Sequence, residues 1–303
     1  GPQNPNQQVK VEYERKSEEF SIEKWAEAFR TAIDYTPVKA KPRHDKKADL
    51  TAIISVPDMH IGQLIWAESI GNHGVNYTPE IAAKLYMDAV TNLSAGLDYD
   101  RVDQIVFPIG EDTFNVDTAL NTTTKGTPQV NSDPHHMITI GLSVMFQAID
   151  FLAKKANVHI PVIPGNHDTM LSFMAGVAIQ ERYRNDKRVT VDNTPIPSKV
   201  VHRGDWAVMF IHSRKKPKDT LWLFPTEYPK EWAGSIYRDI YSGHTHHLTT
   251  FEEQSVRMFF LSSLCPKDAW HNDNMYNAMR EAQMNIYHDK HGKISSKFFR
   301  PTI

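Results

Sequence analysis

The sequence predicts an α/β protein in which two β-sheets pack face to face, with helices on the outside. Between residues 49 and 184, apolar runs of strand length alternate with longer segments in which apolar residues recur at helical spacing. Beyond residue 198 the pattern changes to short strands and tight turns. Strands that alternate with helices, followed by a second group of strands, favour a two-sheet β-sandwich flanked by helices.

The predicted elements follow one another in a regular order. Residues 50–56 are an apolar run that predicts a buried first strand, and a helix over 79–97 follows it. The turn Arg203-Gly204-Asp205 predicts a hairpin. The remaining predicted strands are 102–109, 158–163, 199–202, 206–211, 237–241 and 256–261, with a last hairpin turning at His291-Gly292. The remaining predicted helices are 137–155 and 169–184.

The composition is that of an ordinary globular protein. The chain has 303 residues, of which 34 are Lys or Arg and 36 are Asp or Glu, and 40% are hydrophobic. This near-neutral balance gives no general electrostatic argument for nucleic-acid binding, although one basic cleft would suffice. The single cysteine, Cys265, excludes a disulfide framework and a cysteine-rich zinc site, so a reduced cytosolic compartment is expected. The apolar runs are too short to predict a membrane span.

Two regions are predicted. Residues 1–48 form an N-terminal arm, with Gly1-Pro2 resembling a protease-cleavage scar, a helix starting near Ser21, and a Pro- and Lys-containing linker over 37–47. Residues 49–303 form the main domain. The arm is either packed on the main domain or the remnant of an upstream module, and the sequence leaves both possibilities open.

Polar clusters stand where five of the predicted strands end. Because the loops at one edge of an α/β sheet converge, these side chains are expected to meet. Imidazole, carboxylate and carboxamide groups together suit ions such as Mn, Fe or Zn. The clusters are Asp58-Met59-His60, Glu111-Asp112, Asn166-His167-Asp168, His212 and His244-Thr245-His246.

The order and spacing of these clusters resemble those of the calcineurin-like metallophosphoesterase superfamily. The motifs that carry the resemblance are Asp58-x-His60, Gly110-x-Asp112, Gly165-Asn166-His167-Asp168, His212 and Gly243-His244-x-His246. The resemblance implies the superfamily's two-sheet fold and two divalent metal ions, with Mn favoured over Zn, Fe or Mg. It also implies their ligands: Asp58, His60 and His246 for one ion, Asn166, His212 and His244 for the other, and Asp112 as the bridge.

The resemblance further implies a mechanism. His167 matches the residue that contacts the scissile phosphate and is often assigned as general acid, and a metal-bridging hydroxide is the implied nucleophile. Asp168, also assigned to catalysis, is expected to orient His167 or a metal ligand from behind.

Two positions depart from the common pattern. Glu111 precedes Asp112, so either carboxylate could bridge, although the Gly-x-Asp register favours Asp112, and Ser213 stands where many relatives have glycine.

The substrate is predicted from the residues that surround the motifs. Asp58-Met59-His60-Ile61-Gly62 and Gly-x-Asp-x-Phe look more like the DNA-repair exonuclease branch and phage metallophosphoesterases than like protein Ser/Thr phosphatases. The prediction is hydrolysis of a phosphodiester in nucleic acid, in the cytoplasm or, if the chain is phage-encoded, in the host cytoplasm. The alternatives are a phosphatase or phosphodiesterase for a small nucleotide, and a non-catalytic adaptor that retains the fold. The oligomeric state is left open.

Substrate contacts are expected beyond the metal ligands. Arg214 and Lys215 belong to a basic run beside His212 that could bind phosphates or form a solvated loop. His135 and His136 lie in the insert 115–136, whose length favours a substrate-covering role over a solvated loop. Five aromatic residues offer either stacking faces for bases or core packing: Trp222, Phe224, Trp232, Trp270 and Tyr276.

Overall fold

The computed structural model describes Pro37 and residues 48–70, 76–212 and 216–302, apart from the side chains of Ser69 and Trp270. The helix predicted from Ser21 lies outside these residues, and so do Arg214 and Lys215. The division of the chain at residue 48 therefore stays a prediction.

Two β-sheets form the body of the described chain. The first contains β1 (Leu50–Ser55), β2 (Val102–Val106), β3 (Ile109–Gly110), β4 (Asn157–Ile163), β5 (Val189–Asp192), β11 (Ala282–His288) and β12 (Gly292–Phe299). The second contains β6 (Ser198–Arg203), β7 (Trp206–Ile211), β8 (Tyr237–Ser242), β9 (Thr249–Glu253) and β10 (Val256–Phe260). The strand orders are β12-β11-β1-β2-β4-β3, with β5 also paired to β4, and β6-β7-β8-β10-β9.

The strands that precede the polar clusters are parallel within each sheet. In the first sheet β1 pairs with β2, and β4 pairs with both β2 and β3, all in parallel. In the second sheet β7 pairs in parallel with β8, and β8 with β10. The carboxyl ends of β1, β3 and β4 therefore share one edge, and those of β7 and β8 share another. This arrangement brings the loops that follow them together.

The two sheets pack face to face through an apolar core. Trp206, Tyr241 and Tyr287 are almost wholly buried between them, and the ring centroids of Trp206 and Tyr287 are 4.7 Å apart. Strands of both sheets contribute to the rest of this core, which consists of Ile53, Val106, Ile163, Val201, Val208, Phe210, Phe259 and Leu261. The predicted two-sheet α/β sandwich is confirmed.

Helices cover the outer faces of the sheets. On the first sheet lie α1 (Pro79–Ser94), α2 (Pro134–Ala153) and α3 (Thr169–Tyr183). Short helices α4 (Pro217–Leu221), α5 (Leu223–Glu227) and α6 (Pro229–Ala233) follow β7, and α7 (Ala269–Asp273) follows β10. Helix α1 starts where predicted because Thr78 caps it, accepting the N–H of Ile81. Helix α2 starts earlier than predicted because Asp133 accepts the N–H of His135.

Helix α2 is long and apolar enough to cross a membrane, with a mean hydropathy of 1.5 over an 18-residue window. The helix passes this test although polar residues such as Gln147 and Asp150 interrupt it, so it is not an uninterrupted apolar run of the kind considered in the sequence. Half of that window is buried inside the molecule, and α2 packs against α1 and β4. A core helix passes the same test of length and composition, so this finding is weak evidence for a membrane span.

Two stretches differ from the predicted elements. The single strand predicted over 102–109 is divided into β2 and β3, and Pro108, which has no N–H to donate to a ladder, lies at the break. The segment 217–233, for which no element is predicted, forms three one-turn helices. Two of these begin with proline, at Pro217 and Pro229, a residue whose fixed φ suits a first helical position.

Candidate metal centre

The loops after β1, β3 and β8 are joined by backbone contacts. The N–H of Asp58 donates to the carbonyl of Glu111 at 2.8 Å, and the N–H of His60 donates to that of Asp112 at 2.9 Å. The N–H of His244 donates to the Asp58 carboxylate, at 3.1 Å to Oδ1 and 2.9 Å to Oδ2. These bonds set the positions of side chains that are far apart in the sequence.

Asp58, His60 and His246 form the first of two clusters. Nε2 of His60 and Nε2 of His246 are 3.1 Å apart, and Nε2 of His246 lies 3.3 Å from Oδ1 of Asp58. Nε2 of His60 is 3.9 Å from the same oxygen. Ligand atoms bound to one divalent ion at about 2.1 Å are themselves about 3 to 3.5 Å apart. The three residues predicted to hold the first ion therefore have nearly the spacing that one ion requires.

Asp112, His212 and His244 form the second cluster, with one ligand atom from each lying within 4.8 Å of the others. Nε2 of His212 is 3.0 Å from Oδ2 of Asp112. Both ring nitrogens of His212 are buried, and Nδ1 has no hydrogen-bond partner among the described residues, while Nε2 has only the Asp112 carboxylate close to it. A metal ion shared by His212 and Asp112 would satisfy such an orphaned nitrogen. The donor set and this orphaned imidazole fit a divalent metal ion.

Asp112 belongs to groups on both sides of the site. Its carboxylate clusters with His212 and His244, and also with His60 and His167. Its Oδ1 accepts the backbone N–H of His167 at 2.6 Å. Glu111 is buried nearby, but none of the metal-sized clusters found among the described residues includes it. The geometry supports Asp112, rather than Glu111, as the bridging carboxylate.

Burial and charge act in opposite directions on the pKa values of this site. Burial opposes ionisation of Asp112, but the charge and hydrogen bond of His212 together with the charges of His60 and His167 outweigh it and hold the pKa of Asp112 below its usual range. Burial dominates at Glu111 and raises its pKa to about 8. Burial also opposes protonation of His212, yet Asp112 and Asp58 raise the pKa of His212 to about 9. A divalent cation bound by Asp112 and His212 would supply this positive charge instead, with His212 as a neutral imidazole.

The loops that carry the ligands adopt left-handed backbone conformations. Asp58, His60, Asp112, His244 and His246 have φ angles between 44° and 80°. Such conformations cost non-glycine residues about 1–3 kcal/mol each and persist where the surrounding structure holds them. Five strained residues in one site indicate that these loops are held in a geometry that serves the side chains.

His167 lines the cleft above the clusters. Its Nδ1 lies 2.9 Å from the backbone carbonyl oxygen of Asn115. Because a carbonyl oxygen can only accept, Nδ1 carries a proton. Proton exchange with a ligand in the cleft would then pass through Nε2 of His167. This placement agrees with the predicted contact between His167 and a phosphate.

Asp168 is fully buried and does not line the cleft. Its Oδ1 accepts the N–H of Gly165 at 3.1 Å and that of Asp112 at 3.2 Å, and its Oδ2 accepts the N–H of Phe114 at 3.1 Å. The prediction of a catalytic Asp168 is therefore corrected. The residue holds the backbone that carries Asp112, so it is a positioning residue for a predicted metal ligand, as the sequence argument partly anticipated.

A cleft of about 1760 Å³ opens over the two clusters. Six of the predicted site residues line it: His60, Asp112, Asn166, His167, His244 and His246. Its other sides are formed by Thr127, Pro128 and Gln129 and by much of the segment 265–280. Asn166 accepts a hydrogen bond at its backbone carbonyl from Thr124 Oγ1 at 3.0 Å, which ties the insert 115–136 to the motif loop.

Two predicted substrate contacts are not in the cleft. His135 and His136 lie in the first turn of α2, where His135 Nδ1 is 2.9 Å from Asp133 and His136 Nε2 is 2.7 Å from Glu80. Neither histidine lines the cleft. The prediction that they contact phosphate is therefore corrected, because their rings are engaged by carboxylates at the helix start. Only the tip of the insert, at Thr127 to Gln129, reaches the cleft.

The aromatic candidates separate into core and cleft. Phe224 is fully buried and packs against Trp232, at a ring-centroid distance of 5.6 Å. Trp222 is 67% exposed but does not line the cleft. Tyr276 is 58% exposed and does line it. Trp270 lies outside the residues whose side chains are described.

Three residues that support the site were not predicted from the sequence: Ser263, Asp268 and His271. Ser263 Oγ donates to the backbone carbonyl of Asp58 at 2.6 Å, and the position of Ser263 just after β10 is the signal that could have identified it. The His271 ring stacks on that of His246, with centroids 5.3 Å apart, and its Nδ1 is 2.6 Å from Asp268. Neither His271 nor Asp268 follows a predicted strand, so no sequence signal pointed to them.

Comparisons with known proteins show weak likenesses at the level of the fold. No protein-family model matches the chain, and a search of curated proteins finds no relative. Among solved structures, an archaeal phosphodiesterase matches at 10% identity and a TM-score of 0.41, covering 83% of this chain and 99% of that one. Vps29 from Entamoeba histolytica, in complex with Zn²⁺, matches at 12% identity and a TM-score of 0.34, with coverages of 83% and 98%.

A predicted phosphoesterase from Streptococcus pneumoniae matches at 12% identity and a TM-score of 0.32, covering 83% of this chain and 98% of that one. At these identities and TM-scores the likenesses carry no argument about activity. Any functional conclusion has to rest on the residues of the site.

Proposed function

We propose that this chain is a metal-dependent phosphodiesterase with two divalent ions, most readily Mn²⁺, held at the edge of its β-sandwich. The observation that carries the proposal is that Asp112 belongs to two clusters, with one of its carboxylate oxygens within 4.8 Å of a nitrogen of His60 and His167 in one and of His212 and His244 in the other. Two adjacent ions that share a carboxylate would activate water and neutralise the oxygens of a phosphodiester. Asp58, His60 and His246 would hold one ion, and Asn166, His212 and His244 the other.

The chain's own residues then position and protonate the substrate. His167 faces the cleft with its Nδ1 proton fixed on the Asn115 carbonyl, so Nε2 is the atom that would donate a proton to the leaving alkoxide. General acid catalysis of this kind contributes roughly 10²- to 10⁴-fold in rate. Asp168 holds the Asp112 backbone, which keeps the bridging carboxylate in place during turnover.

Nucleic acid is the substrate that we infer, in line with the likeness of the motifs to the exonuclease branch. The cleft supports this inference by its size, about 1760 Å³, which exceeds the 300–1,000 Å³ typical of small-molecule sites. The near-neutral net charge favours instead a small nucleotide, which remains the second candidate. A non-catalytic adaptor is disfavoured because every ligand position predicted from the motifs is filled.

The test is cleavage of end-labelled single- and double-stranded DNA with added Mn²⁺, comparing the unmodified chain with Asn166→Ala. The expected result is degradation by the former and none by the latter, with a product ladder that separates exo- from endonucleolytic cleavage. Intact DNA with the unmodified chain would contradict the nuclease assignment. If the unmodified chain still hydrolysed bis(p-nitrophenyl) phosphate in the same buffer, the result would favour the small-nucleotide candidate.

A further inference from the structure

One wall of the cleft is formed by residues of the segment 265–280. This wall carries three large exposed side chains within five residues. Met275 is 88% exposed, Tyr276 is 58% exposed and Met279 is 69% exposed, and all three line the cleft. Single exposed apolar residues are normal on a protein surface, but a group of them inside a ligand cleft marks a binding surface. Here the group lies on the same cleft as His60, His167 and the other predicted ligands.

A path of ring contacts connects this wall to the predicted metal site. The His246 and His271 rings are stacked, with centroids 5.3 Å apart and planes at 22°. The His271 and Tyr276 rings meet edge to face at 6.5 Å. Asp268 holds His271 through Nδ1 at 2.6 Å and is itself held by Gln63 Nε2 at 2.7 Å. The Tyr276 ring thus contacts His271, and His271 contacts the predicted metal ligand His246. Hydrogen bonds from Gln63 to Asp268 and between Asp268 and His271 hold this wall in place.

The backbone at this wall is strained in a way that a glycine would relieve. Helix α7 ends with the N–H of Tyr276 donating to the His271 carbonyl at 2.8 Å and the N–H of Met275 donating to the Asn272 carbonyl at 3.1 Å. This pair of bonds is a Schellman helix ending, in which the left-handed residue is usually glycine. Here the left-handed residue is Met275, with a φ of 59°. Met275 therefore carries a side chain at a position where glycine is usual, and that side chain lies on the cleft.

We propose that Met275, Tyr276 and Met279 form a platform that binds a planar nucleobase attached to the phosphate processed at the metal site. The inference rests on the proposed phosphodiesterase function and names the part of the substrate that this wall recognises. Aromatic rings stack on bases of any sequence, and methionine adapts to flat surfaces. Asn277, exposed on the same wall, supplies amide groups that can pair with the edge of a base, whereas an alkyl chain would leave them unpaired.

The test compares two phosphate ligands that differ only in the base. Isothermal titration calorimetry in Mn²⁺ measures the dissociation constants of AMP and of 1-O-methylribose 5-phosphate. The unmodified chain should bind AMP about 5- to 150-fold more tightly, the range that base stacking supplies. Tyr276→Leu should bring that ratio close to one, and Met275→Gly should reduce it while leaving the melting temperature unchanged or higher. Tyr276→Phe should retain the ratio.

The matched control is Trp222→Leu, which removes an exposed aromatic ring that does not line the cleft. This variant should keep the ratio of the unmodified chain. Equal affinity for the two ligands, no detectable binding of either, or a ratio that Tyr276→Leu leaves intact would overturn the platform. Because this assay measures binding without turnover, its outcome is separate from that of the hydrolysis assay, which decides the proposed function.

Discussion

The carboxylate of Asp168 accepts the backbone N–H of Asp112 at 3.2 Å. Asp168, the last residue of its motif, thus holds in place Asp112, which belongs to the clusters on both sides of the metal site. The same carboxylate accepts the N–H groups of Gly165 and Phe114. Three loop N–H groups therefore converge on one buried side chain. This arrangement links the folding of the loops to the position of the bridging carboxylate.

Asp168→Asn should lower metal affinity as well as stability. An amide offers one oxygen in place of two and directs N–H groups toward N–H donors, which costs about 1–3 kcal/mol for each donor left unsatisfied. The displaced Asp112 should weaken Mn²⁺ binding about 10- to 100-fold, the usual effect of losing a group that supports a ligand. Urea unfolding and calorimetric Mn²⁺ titration measure the two effects.

Asp117→Asn is the matched control. Asp117 also accepts backbone N–H groups, those of Met170 and Leu171 at the start of α3, but the metal-sized clusters of the described chain do not include it. It should lose stability and keep its Mn²⁺ affinity. Equal loss of Mn²⁺ affinity in Asp168→Asn and Asp117→Asn would show that Asp168 has no specific connection to the metal site.

Asp112→Asn and Glu111→Gln should behave differently, although the residues are adjacent. Asp112 lies in clusters on both sides of the site, so its loss should abolish binding of at least one of two Mn²⁺ ions and most of the activity. Glu111 lies outside these clusters, and Glu111→Gln should keep the full metal content. Metal analysis after gel filtration provides the measurement. Loss of metal in Glu111→Gln alone would assign the bridge to Glu111.

Gly165→Ala should disable the site by steric displacement. A Cβ at this position would overlap the side chain and the N–H of Asp112 and would approach the Asp168 carboxylate. Because backbone and buried groups cannot move aside cheaply, the expected loss is about 1–3 kcal/mol in stability together with most of the metal-dependent activity. Gly126→Ala, on the insert, meets no atom within 4 Å and should leave both unchanged. Normal activity in Gly165→Ala would contradict the packing described for this loop.

Lys293 should make the stability of the fold depend on pH. Its Nζ lies 3.5 Å from the centroid of the Phe259 ring, and burial lowers its pKa from 10.5 to about 8, against the opposing charge of Asp239. Between pH 8 and 9.5 the unfolded chain therefore binds more protons at this residue than the folded chain. The contribution of Lys293 to the free energy of unfolding should therefore rise with pH over that range.

Lys293→Met removes the group and should flatten this rise, measured by urea unfolding at pH 7.5, 8.5 and 9.5. Lys290→Met, at an exposed position of the same hairpin, should keep the pH dependence of the unmodified chain. An unchanged slope in Lys293→Met would show that the lysine does not lose its proton more readily on folding.

Much of the fold and of the metal clusters can be predicted because the ends of the strands can be recognised in the sequence. Apolar runs such as 50–56 end in polar motifs, and parallel pairing brings the strand ends together. Asp58 then lies with His60 and His246, and Asp112 lies with His212 and His244. The positions of His135 and His136 could not be predicted in this way. The Asp133 cap extends α2 back to Pro134 and places both rings next to carboxylates, a tertiary detail that periodicity does not contain.

The residues of the cleft wall could not be predicted from the sequence either. Tyr276 and Phe224 are both aromatic residues in irregular sequence, yet one lines the cleft and the other is fully buried. Which of them faces solvent depends on the short helices α4 to α7, whose five residues each leave almost no periodic signal. Glu111 and Asp112 are likewise adjacent in sequence and share a left-handed backbone, yet only Asp112 belongs to the metal-sized clusters of the described residues.

The two clusters joined by Asp112 should hydrolyse phosphodiesters once they hold metal ions. Hydrolysis of bis(p-nitrophenyl) phosphate by chelator-treated protein titrated with Mn²⁺, beside Asp112→Asn, tests this. Activity should rise until about two ions are bound per chain and should be lost in the variant. No hydrolysis with Mn²⁺, Zn²⁺, Fe²⁺ or Mg²⁺, or equal hydrolysis by Asp112→Asn, would contradict it.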